Sequence, residues 1–187
     1  MFFPQSIPEV ILVKPTRTND ARGYFSETFR ENSYREHGIY GPFVQDNHSC
    51  SNAPFVIRGL HFQIAGSAQA KLVRCTKGAI YDVAVDIRKG SPTFGAYVGA
   101  ELSAANGHQL YVPIGFAHGF CTLTSDCEVH YKVSAYYDRD SDRGLAWNDA
   151  SIAIDWPLNG NQPLLSEKDA LQPALSELPD YFSYRAA

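Results

Sequence analysis

The sequence predicts an all-β fold, an antiparallel β-barrel or jelly roll that carries a few short helices on its outside. Short runs rich in Val, Ile, Tyr and Phe recur along the chain between turn-forming residues. Helical signals are confined to two places. The 187 residues are close to the usual size of one domain, and no long linker, repeat or low-complexity segment divides them. We therefore expect a single domain over residues 1–187.

The predicted strands are short, and turns separate them. Segments 89–92 and 105–107, for example, contain Gly together with Ser, Pro or Asn. Many short strands of this kind are typical of a sandwich or a barrel. The predicted strands cover residues 10–14, 23–29, 56–63, 71–75, 79–87, 96–102, 109–112, 120–123 and 129–137.

Two short helices complete the predicted elements. The first covers residues 30–37 and ends at Gly38, because glycine commonly terminates helices. The second begins at Ser166, since Ser166 and Asp169 have the spacing of a capping box. Pro173 keeps this second helix short.

Composition and charge exclude several classes of function. The net charge is −4, from 20 Asp and Glu against 16 Lys and Arg, and the basic residues form no block. A nucleic-acid groove or an anionic membrane surface needs clustered positive charge, so neither partner is expected. No stretch is apolar enough to span a membrane, and the first residues do not resemble a secretory leader. We therefore expect a cytoplasmic protein in which Cys50, Cys75, Cys121 and Cys127 are reduced and mostly buried.

Polar residues interrupt two of the predicted strands. In strand 56–63, Arg58 and His61 have opposite parity, and a bulge at Gly59 would bring both side chains to one face. The alternative is an interior histidine with satisfied hydrogen bonds and an arginine at a strand edge. In strand 79–87, alternation places Asp82 and Asp86 on the face opposite the core, toward solvent or a neighbouring element.

Lys71 and Tyr131 are two further candidates for a site inside the barrel. Lys71 begins an otherwise apolar strand, and Tyr131 shares a strand face with Val129 and Val133. Strands that face the barrel interior would bring both side chains toward His61. Considered separately, Lys71 also fits a strand-start lysine whose ammonium group reaches solvent, and Tyr131 fits a core aromatic residue.

The segment from Gly107 to His118 fits the spacing G(x)5PxGxxH, which resembles the second signature motif of the cupin superfamily. In metal-binding cupins this histidine is joined by an HxH pair and a glutamate, because a divalent ion needs three or four convergent ligands. That set is missing from this sequence. A metal would have at most His61, His118 and a cysteine or His48. We therefore expect no metal.

Many ordered segments of the chain together resemble the dTDP-4-dehydrorhamnose 3,5-epimerase family. The resemblance covers nearly the whole chain, with the segments in the family's order and at close to its spacing. The segments are 20–27, 45–49, 57–63, 71–74, 82–88, 91–95 and 115–120, followed by 131–132, 141–144, 154–157 and 165–169.

The resemblance implies a metal-free, cofactor-free cupin-type jelly roll that forms a homodimer. Members of this family invert C3 and C5 of dTDP-4-dehydro-6-deoxy-D-glucose during dTDP-L-rhamnose synthesis, so a dTDP-4-keto-6-deoxyhexose is the expected substrate. The nearest alternative is an epimerase that inverts only one of the two carbons of a related sugar nucleotide. A metal-dependent cupin and a non-catalytic sugar-binding jelly roll are further alternatives.

The resemblance also assigns catalytic roles to four residues. His61 would be the base, Asp169 would hold its other ring nitrogen, Lys71 would neutralise the oxyanion at C4, and Tyr131 would be the acid on the opposite face. Asp169 also fits the third position of the Ser166 capping box, and the two roles compete.

Further residues are implied in substrate binding. Arg58 would bind the diphosphate, and Phe25 and Tyr137 would stack on thymine. We expect the strand that contains Arg22 and Glu27 to cross to the partner subunit. The full implied set is Arg22, Phe25, Glu27, Gln45, Asp46, Asn47, Arg58, His118, Tyr137, Asp142 and Lys168.

Overall fold

The computed structural model describes residues 1–184, most of whose strands lie in two antiparallel sheets packed face to face. In chain order the strands are β1 (Phe2–Pro4), β2 (Ile11–Val13), β3 (Thr18–Asp20), β4 (Gly23–Phe25), β5 (Gln45–Ser51), β6 (Ile57–Gln63), β7 (Lys71–Lys77), β8 (Ala79–Asp86), β9 (Arg88–Lys89), β10 (Tyr97–Ser103), β11 (Gln109–Val112), β12 (Phe116–Thr122), β13 (Cys127–Val133), β14 (Asp142–Gly144) and β15 (Phe182–Ser183). One sheet has six strands in the order β1-β2-β11-β7-β13-β5, and the other has five in the order β10-β8-β12-β6-β14. The predicted all-β jelly roll is confirmed.

The remaining elements are small and lie outside the two sheets. β3 and β4 form a separate antiparallel hairpin, and β15 pairs in parallel with β9. The helices are α1 (Glu31–Arg35) and α2 (Glu167–Ala170), and single 3₁₀ turns cover Ala65–Ser67 and Leu175–Glu177. Within residues 1–184, no helix has the length and apolar character needed to cross a membrane.

The space between the sheets is largely apolar. Val73 and Leu110 of the six-stranded sheet meet Ile80, Leu102 and Phe120 of the five-stranded sheet in one buried cluster. Burial of such side chains is the main favourable contribution to folding. Tyr131 packs against this cluster, so polar residues that lie next to Tyr131 between the sheets have apolar neighbours.

The outer faces of the two sheets differ in how far they are covered. Leu145, Ile152 and Trp156 pack with residues of the five-stranded sheet, so that sheet is buried on both faces. Tyr34 of α1 and Ile39 cover only part of the outer face of the six-stranded sheet. The outward residues of β5 stay exposed.

Most predicted strands occur with shifted ends, and one long strand was not predicted. The unpredicted strand is β5. Its residues, Gln45–Ser51, are almost all polar on both faces, so it lacks the hydrophobic alternation from which strands are predicted. The strand predicted at 23–29 ends at Phe25, and the helix predicted at 30–37 covers only Glu31–Arg35. The remaining unpredicted strands, β1, β3, β9, β14 and β15, are two or three residues long.

The predicted outward position of Asp82 and Asp86 is wrong, because both side chains are completely buried. β8 is covered on both faces: Val83 and Val85 belong to the outer cluster, whereas Ile80 and Ala84 belong to the cluster between the sheets. Asp82 and Asp86 share the parity of the second pair. They are therefore interior residues.

The bulge predicted at Gly59 is confirmed by the pairing of β6 with β12. His61 lies opposite His118 and Arg58 opposite Phe120, so Gly59 and Leu60 together face the single residue Gly119. The extra residue changes the parity of β6. Arg58 and His61 consequently line the same cavity.

Gly59 is also the point at which two backbones come closest. Its φ is +128°, and a Cβ at this position would lie 2.6 Å from the Cα of Gly119 and 2.8 Å from the carbonyl oxygen of His118. Both contacts are with backbone atoms of a central strand, which cannot move without disturbing the sheet.

We expect Gly59→Ala to lower the free energy of unfolding by about 2–3 kcal/mol, measured by urea denaturation, because the added carbon overpacks the β6–β12 contact. The control is Gly66→Ala, since nothing lies within 4 Å of a Cβ added to Gly66. Equal stability of the two variants would contradict the expectation.

Candidate active site

A cavity of about 540 Å³ opens between the sheets and α2. A smaller cavity beside it shares His61, Lys71, Tyr131 and Lys168, so the two form one site. The predicted residues that line the first cavity are Arg58, His61, Lys71, His118, Tyr131, Lys168 and Asp169. The smaller cavity adds Gln45, Asn47, Tyr137 and Asp142.

A larger cavity, of about 810 Å³, lies on the other side of the five-stranded sheet, beneath the C-terminal segment. Its lining contains no predicted site residue. Among residues 1–184, the charged residues that line it are Lys89 and Asp180, which pair with each other at 3.4 Å. Acid–base chemistry needs titratable groups that face the ligand. The 540 Å³ cavity, together with the smaller one beside it, is therefore the candidate active site.

His61 and Asp169 form a close polar contact in this site. The Nε2 atom of His61 lies 2.5 Å from Oδ1 of Asp169, whose side chain is almost fully buried. Burial alone would raise the pKa of Asp169, but the hydrogen bond and charge of His61 outweigh it and hold the pKa below its usual value. Asp169 is therefore a carboxylate that orients the imidazole and stabilises its protonated form.

Asp169 holds its helix position and its contact with His61 at the same time. Its backbone N–H donates to the Ser166 hydroxyl at 3.1 Å, which caps α2. Its carboxylate is left for His61 and for the N–H of Gly59, at 3.4 Å. The expected competition between the two roles does not arise, because the amide makes one contact and the carboxylate makes the other.

Lys71 is a buried cation at the start of β7. Its Nζ donates to the carbonyl oxygen of His61 at 3.1 Å, and no described carboxylate lies within 4 Å of it. Burial lowers the pKa of Lys71 to about 8, although the charges of Asp82 and Asp142 act in the opposite direction. The ammonium group is therefore held beside His61 without a salt-bridge partner from residues 1–184.

His118 forms a second histidine–aspartate pair, with Asp82. The His118 Nε2 atom lies 2.9 Å from Oδ1 of Asp82, and both side chains are buried. Burial lowers the pKa of His118 despite the neighbouring Asp82. The sequence could have indicated Asp82, because Ile80 and Ala84 on the same strand face are apolar and a solvent-facing side would be expected to be polar.

Tyr131 faces the site from β13, in register with Asn47 on β5 and Val73 on β7. Burial raises the pKa of Tyr131, against the opposing charge of Arg58. The phenol consequently keeps its proton near neutral pH and is available as a donor.

The residues expected to bind substrate occupy the mouth of the same site. Arg58 donates to the Ser51 hydroxyl at 3.1 Å and to the Cys50 carbonyl at 3.0 Å. Asp142 accepts hydrogen bonds from Tyr137, at 3.2 Å, and from Lys168. Arg58 and Lys168 supply positive charge for an anionic ligand.

Comparison with known proteins is consistent with this arrangement. The sequence model described as dTDP-4-dehydrorhamnose 3,5-epimerase matches residues 4–177. The chain belongs to that family. It is therefore an isomerase of the dTDP-4-dehydrorhamnose 3,5-epimerase type.

Relatives of the family resemble the chain over almost its full length. The dTDP-4-dehydrorhamnose 3,5-epimerase of Sinorhizobium fredii is 54% identical over 185 residues, which are 98% of this chain and 94% of that protein. The crystal structure of dTDP-6-deoxy-D-glucose-3,5-epimerase from Legionella pneumophila in complex with dTDP-4-keto-L-rhamnose superposes with a TM-score of 0.94, at 42% identity, over 100% of this chain and 99% of that one. A 3'-monoepimerase from Streptomyces bikiniensis in complex with dTDP-quinovose reaches a TM-score of 0.86, at 33% identity, over 92% and 87% of the two chains.

Four of the residues expected in this epimerase site lie away from the cavity. Asp46 points to the outer face of β5 and pairs with Lys132 at 2.9 Å, because its parity is opposite to that of Gln45 and Asn47. The other three, Arg22, Phe25 and Glu27, lie on or beside the β3–β4 hairpin. Arg22 pairs with Asp20 and Glu27 with Arg30, and Phe25 is 73% exposed. Within one chain these residues do not reach the candidate active site.

One group of three potential metal ligands occurs among the described residues, and it lies outside the candidate active-site cavity. His48, Glu128 and His130 occupy the outer face of β5 and β13, with their ligand atoms within 4.8 Å of one another. The two imidazole rings stack at 4.0 Å with an interplanar angle of 12°, so their lone pairs run side by side and do not converge on one point. In the cavity, His61 and His118 each already bind an aspartate.

Proposed function

We propose that the chain converts dTDP-4-dehydro-6-deoxy-D-glucose into dTDP-4-dehydro-L-rhamnose by inverting C3 and C5. The observation that carries the proposal is the presence of the His61–Asp169 pair, the Lys71 cation and the Tyr131 phenol around one cavity. A ketone at C4 acidifies the C–H bonds on both neighbouring carbons. Epimerisation then needs a base, a group that stabilises the enolate, and an acid on the opposite face of the ring.

The proposed base is His61. One of its ring nitrogens is bound to the Asp169 carboxylate, so the other can take the proton from the carbon next to the ketone. The imidazolium that forms is stabilised by the same carboxylate. Asp169 thus orients His61 without itself contacting the sugar.

Lys71 is the proposed partner of the enolate oxygen. As negative charge moves from the carbon to the C4 oxygen, a fixed ammonium group in apolar surroundings stabilises it more strongly than water does. Lys71 suits this role because its charge is buried and no described carboxylate pairs with it.

The proposed acid is Tyr131. An enolate carbon is far more basic than a phenolate, so proton transfer from Tyr131 runs downhill even though burial raises the pKa of its phenol. Delivery from the face opposite His61 gives the inverted carbon. Before the next step the phenolate takes up a proton from solvent and the imidazolium of His61 releases one.

Proton NMR in D2O tests the reaction directly. The protein is incubated with dTDP-4-dehydro-6-deoxyglucose after chelator treatment, and the signals of the C3 and C5 protons are followed. Loss of both signals, with formation of the L-rhamno product, is expected. Loss of one signal would instead establish a single-site epimerase. The similar 3'-monoepimerase from Streptomyces bikiniensis is an example of that alternative. Absence of exchange by folded protein would overturn the proposal, and activity that returned only with added metal would favour a metal-dependent cupin.

The pH dependence of kcat/KM is expected to show a fall above pH about 8. Burial lowers the pKa of Lys71 to about 8, so the ammonium form is lost as pH rises through that value, and enolate stabilisation is lost with it. Below pH about 8 the lysine is charged, so its ionisation does not change kcat/KM there. A profile that stays level up to pH 9.5, measured at several substrate concentrations, would contradict the assignment.

We further propose that the chain forms a homodimer in which the β3–β4 hairpin completes the site of the partner subunit. Every residue of β3 and β4 is exposed, including the aromatic rings of Tyr24 and Phe25. Exposed aromatic residues on a projecting hairpin are typical of a surface that a partner covers. Arg22, Phe25 and Glu27 would then reach a dTDP-sugar bound in the other subunit.

The free thiols of the four cysteines support a reducing, cytoplasmic location.

Co-expression of two inactive variants tests this exchange. An Arg22→Ala chain and a His61→Asn chain, each impaired alone, should together recover roughly a quarter of wild-type activity, because half of the dimers are mixed and each mixed dimer has one intact site. If Arg22 served its own chain, no mixed dimer would contain an intact site. Co-expression without recovery would therefore contradict the proposed exchange.

A further inference from the structure

The inner face of β5 carries one hydroxyl group whose hydrogen bond is not made within the described chain. Gln45, Asn47, Ser49 and Ser51 alternate with exposed residues along this strand. Gln45 donates to Asn47 at 2.8 Å, and Ser51 accepts from Arg58 at 3.1 Å. The hydroxyl of Ser49, in contrast, is buried and has no hydrogen-bond partner among the described residues.

Such a group is costly in a folded protein. A buried donor or acceptor without a partner costs about 1–3 kcal/mol, and native structures contain few of them. In the described part of the chain, only Ser49 Oγ and Asp82 Oδ2 are buried side-chain atoms without a partner. Ser49 lines the active-site cavity, and Asp82 binds His118, which lines it as well. Asp82 itself lies behind His118 and lines neither cavity, so Ser49 Oγ is the atom to which a ligand can supply the missing hydrogen bond.

The register of β5 and β13 indicates which part of a ligand Ser49 faces. Ser49 pairs with Val129, between the pair Asn47–Tyr131 on one side and the pair Ser51–Cys127 on the other. Tyr131 is the proposed acid for the hexose ring, and Arg58, which is bound to Ser51, is the proposed diphosphate ligand. Ser49 therefore lies between the groups that would hold the hexose and the diphosphate.

We propose that Ser49 is a further substrate-binding residue, whose hydroxyl donates a hydrogen bond to an oxygen at the junction of hexose and diphosphate. This assignment rests on the proposed function. Phosphate and glycosidic oxygens are acceptors only, and a serine hydroxyl supplies a donor without adding charge. The junction takes no part in the reaction, so the bond is equally strong in ground state and transition state. It therefore affects KM and not kcat.

The test is Ser49→Ala, with steady-state kinetics and a thermal melt of the free protein. We expect KM to rise about tenfold with kcat unchanged, since tenfold corresponds to the loss of one hydrogen bond to an anionic ligand. The Tm of the free variant should equal or exceed that of the wild type, because alanine removes an unsatisfied polar group. Replacement of a structural serine would lower Tm. An equal or higher Tm combined with weaker binding would therefore indicate a binding role for Ser49.

Ser103→Ala is the matched control. Ser103 is equally small and 5% exposed, but its hydroxyl accepts from the N–H of Asn106 at 3.1 Å and does not line the site. Its removal should lower Tm and leave KM unchanged, the reverse of the pattern for Ser49. Calorimetry with dTDP, which retains the junction phosphate, should also show several-fold weaker binding to Ser49→Ala.

Two results would overturn the proposal: a wild-type KM in Ser49→Ala, or a loss of Tm and kcat together, which would indicate a structural role. The wild type is followed by deuterium exchange in the same experiment. If the wild type does not exchange protons, the proposed function fails, and Ser49 is judged on dTDP affinity alone. Unchanged dTDP affinity would in that case overturn the assignment of Ser49 too.

Discussion

Replacement of His61 by asparagine should reduce epimerisation by about 10²–10⁴-fold, the usual contribution of a general base. Asparagine can still donate to Asp169, which otherwise would be a buried carboxylate without its partner at 2.5 Å. The loss should therefore appear in kcat, whereas dTDP affinity, measured by calorimetry, should change little. Exchange of both C3 and C5 protons should fall in parallel with product formation, because both begin with proton abstraction.

The control for this variant is His130→Asn, which alters a histidine on the outer face of β13. It should retain wild-type turnover. If His61→Asn lost dTDP binding together with turnover, His61 would be a binding or structural residue. Rapid proton exchange in His61→Asn would place the base elsewhere.

Tyr131→Phe should separate proton removal from inversion. Without the phenol, His61 can still abstract a proton and return a deuteron to the same face, so exchange in D2O continues while the inverted product forms about 10²–10⁴-fold more slowly. The ratio of exchange to inversion, followed by NMR on one sample, should rise by a similar factor. Because the change removes only one oxygen atom, the cavity keeps its shape.

Tyr111→Phe is the matched control, since Tyr111 is a buried tyrosine in the cluster beneath α1, away from the cavity. It should leave the ratio of exchange to inversion unchanged. Equal loss of exchange and inversion in Tyr131→Phe would mean that Tyr131 is needed before the proton leaves the carbon, which is incompatible with its assignment as the acid.

The strands that frame the site could be predicted from sequence wherever a hydrophobic face is visible. Strand 56–63 shows the conflict of parity between Arg58 and His61, and the bulge at Gly59 follows from it. The residues that line the cavity were identified through the family resemblance, because no local pattern connects His61 with Asp169, 108 positions later. Pairing at that distance depends on the topology of the whole chain.

Other features could not be predicted for physical reasons. β5 contains polar residues on both faces because one face lines the cavity and the other stays exposed, so it lacks the alternation that marks a half-buried strand. Asp82 is buried because its face of β8 lies between the two sheets, whereas the C-terminal segment covers the face that carries Val83 and Val85. Alternation along the strand does not show which of its two faces lies between the sheets. The distance of Arg22 from the site depends on where the hairpin lies, which turn residues alone do not determine.

The contact between Asp169 and His61 also sets when activity can arise during synthesis. Most strands of both sheets precede residue 145, whereas α2, which carries Asp169, follows them. A nascent chain can therefore assemble much of the barrel while His61 still lacks its carboxylate. Contacts that close such long loops form late, because their entropic cost is offset only once the surrounding framework exists. Epimerase activity thus has to wait for α2, and a chain terminated before this helix would lack both the carboxylate that binds His61 and one wall of the cavity.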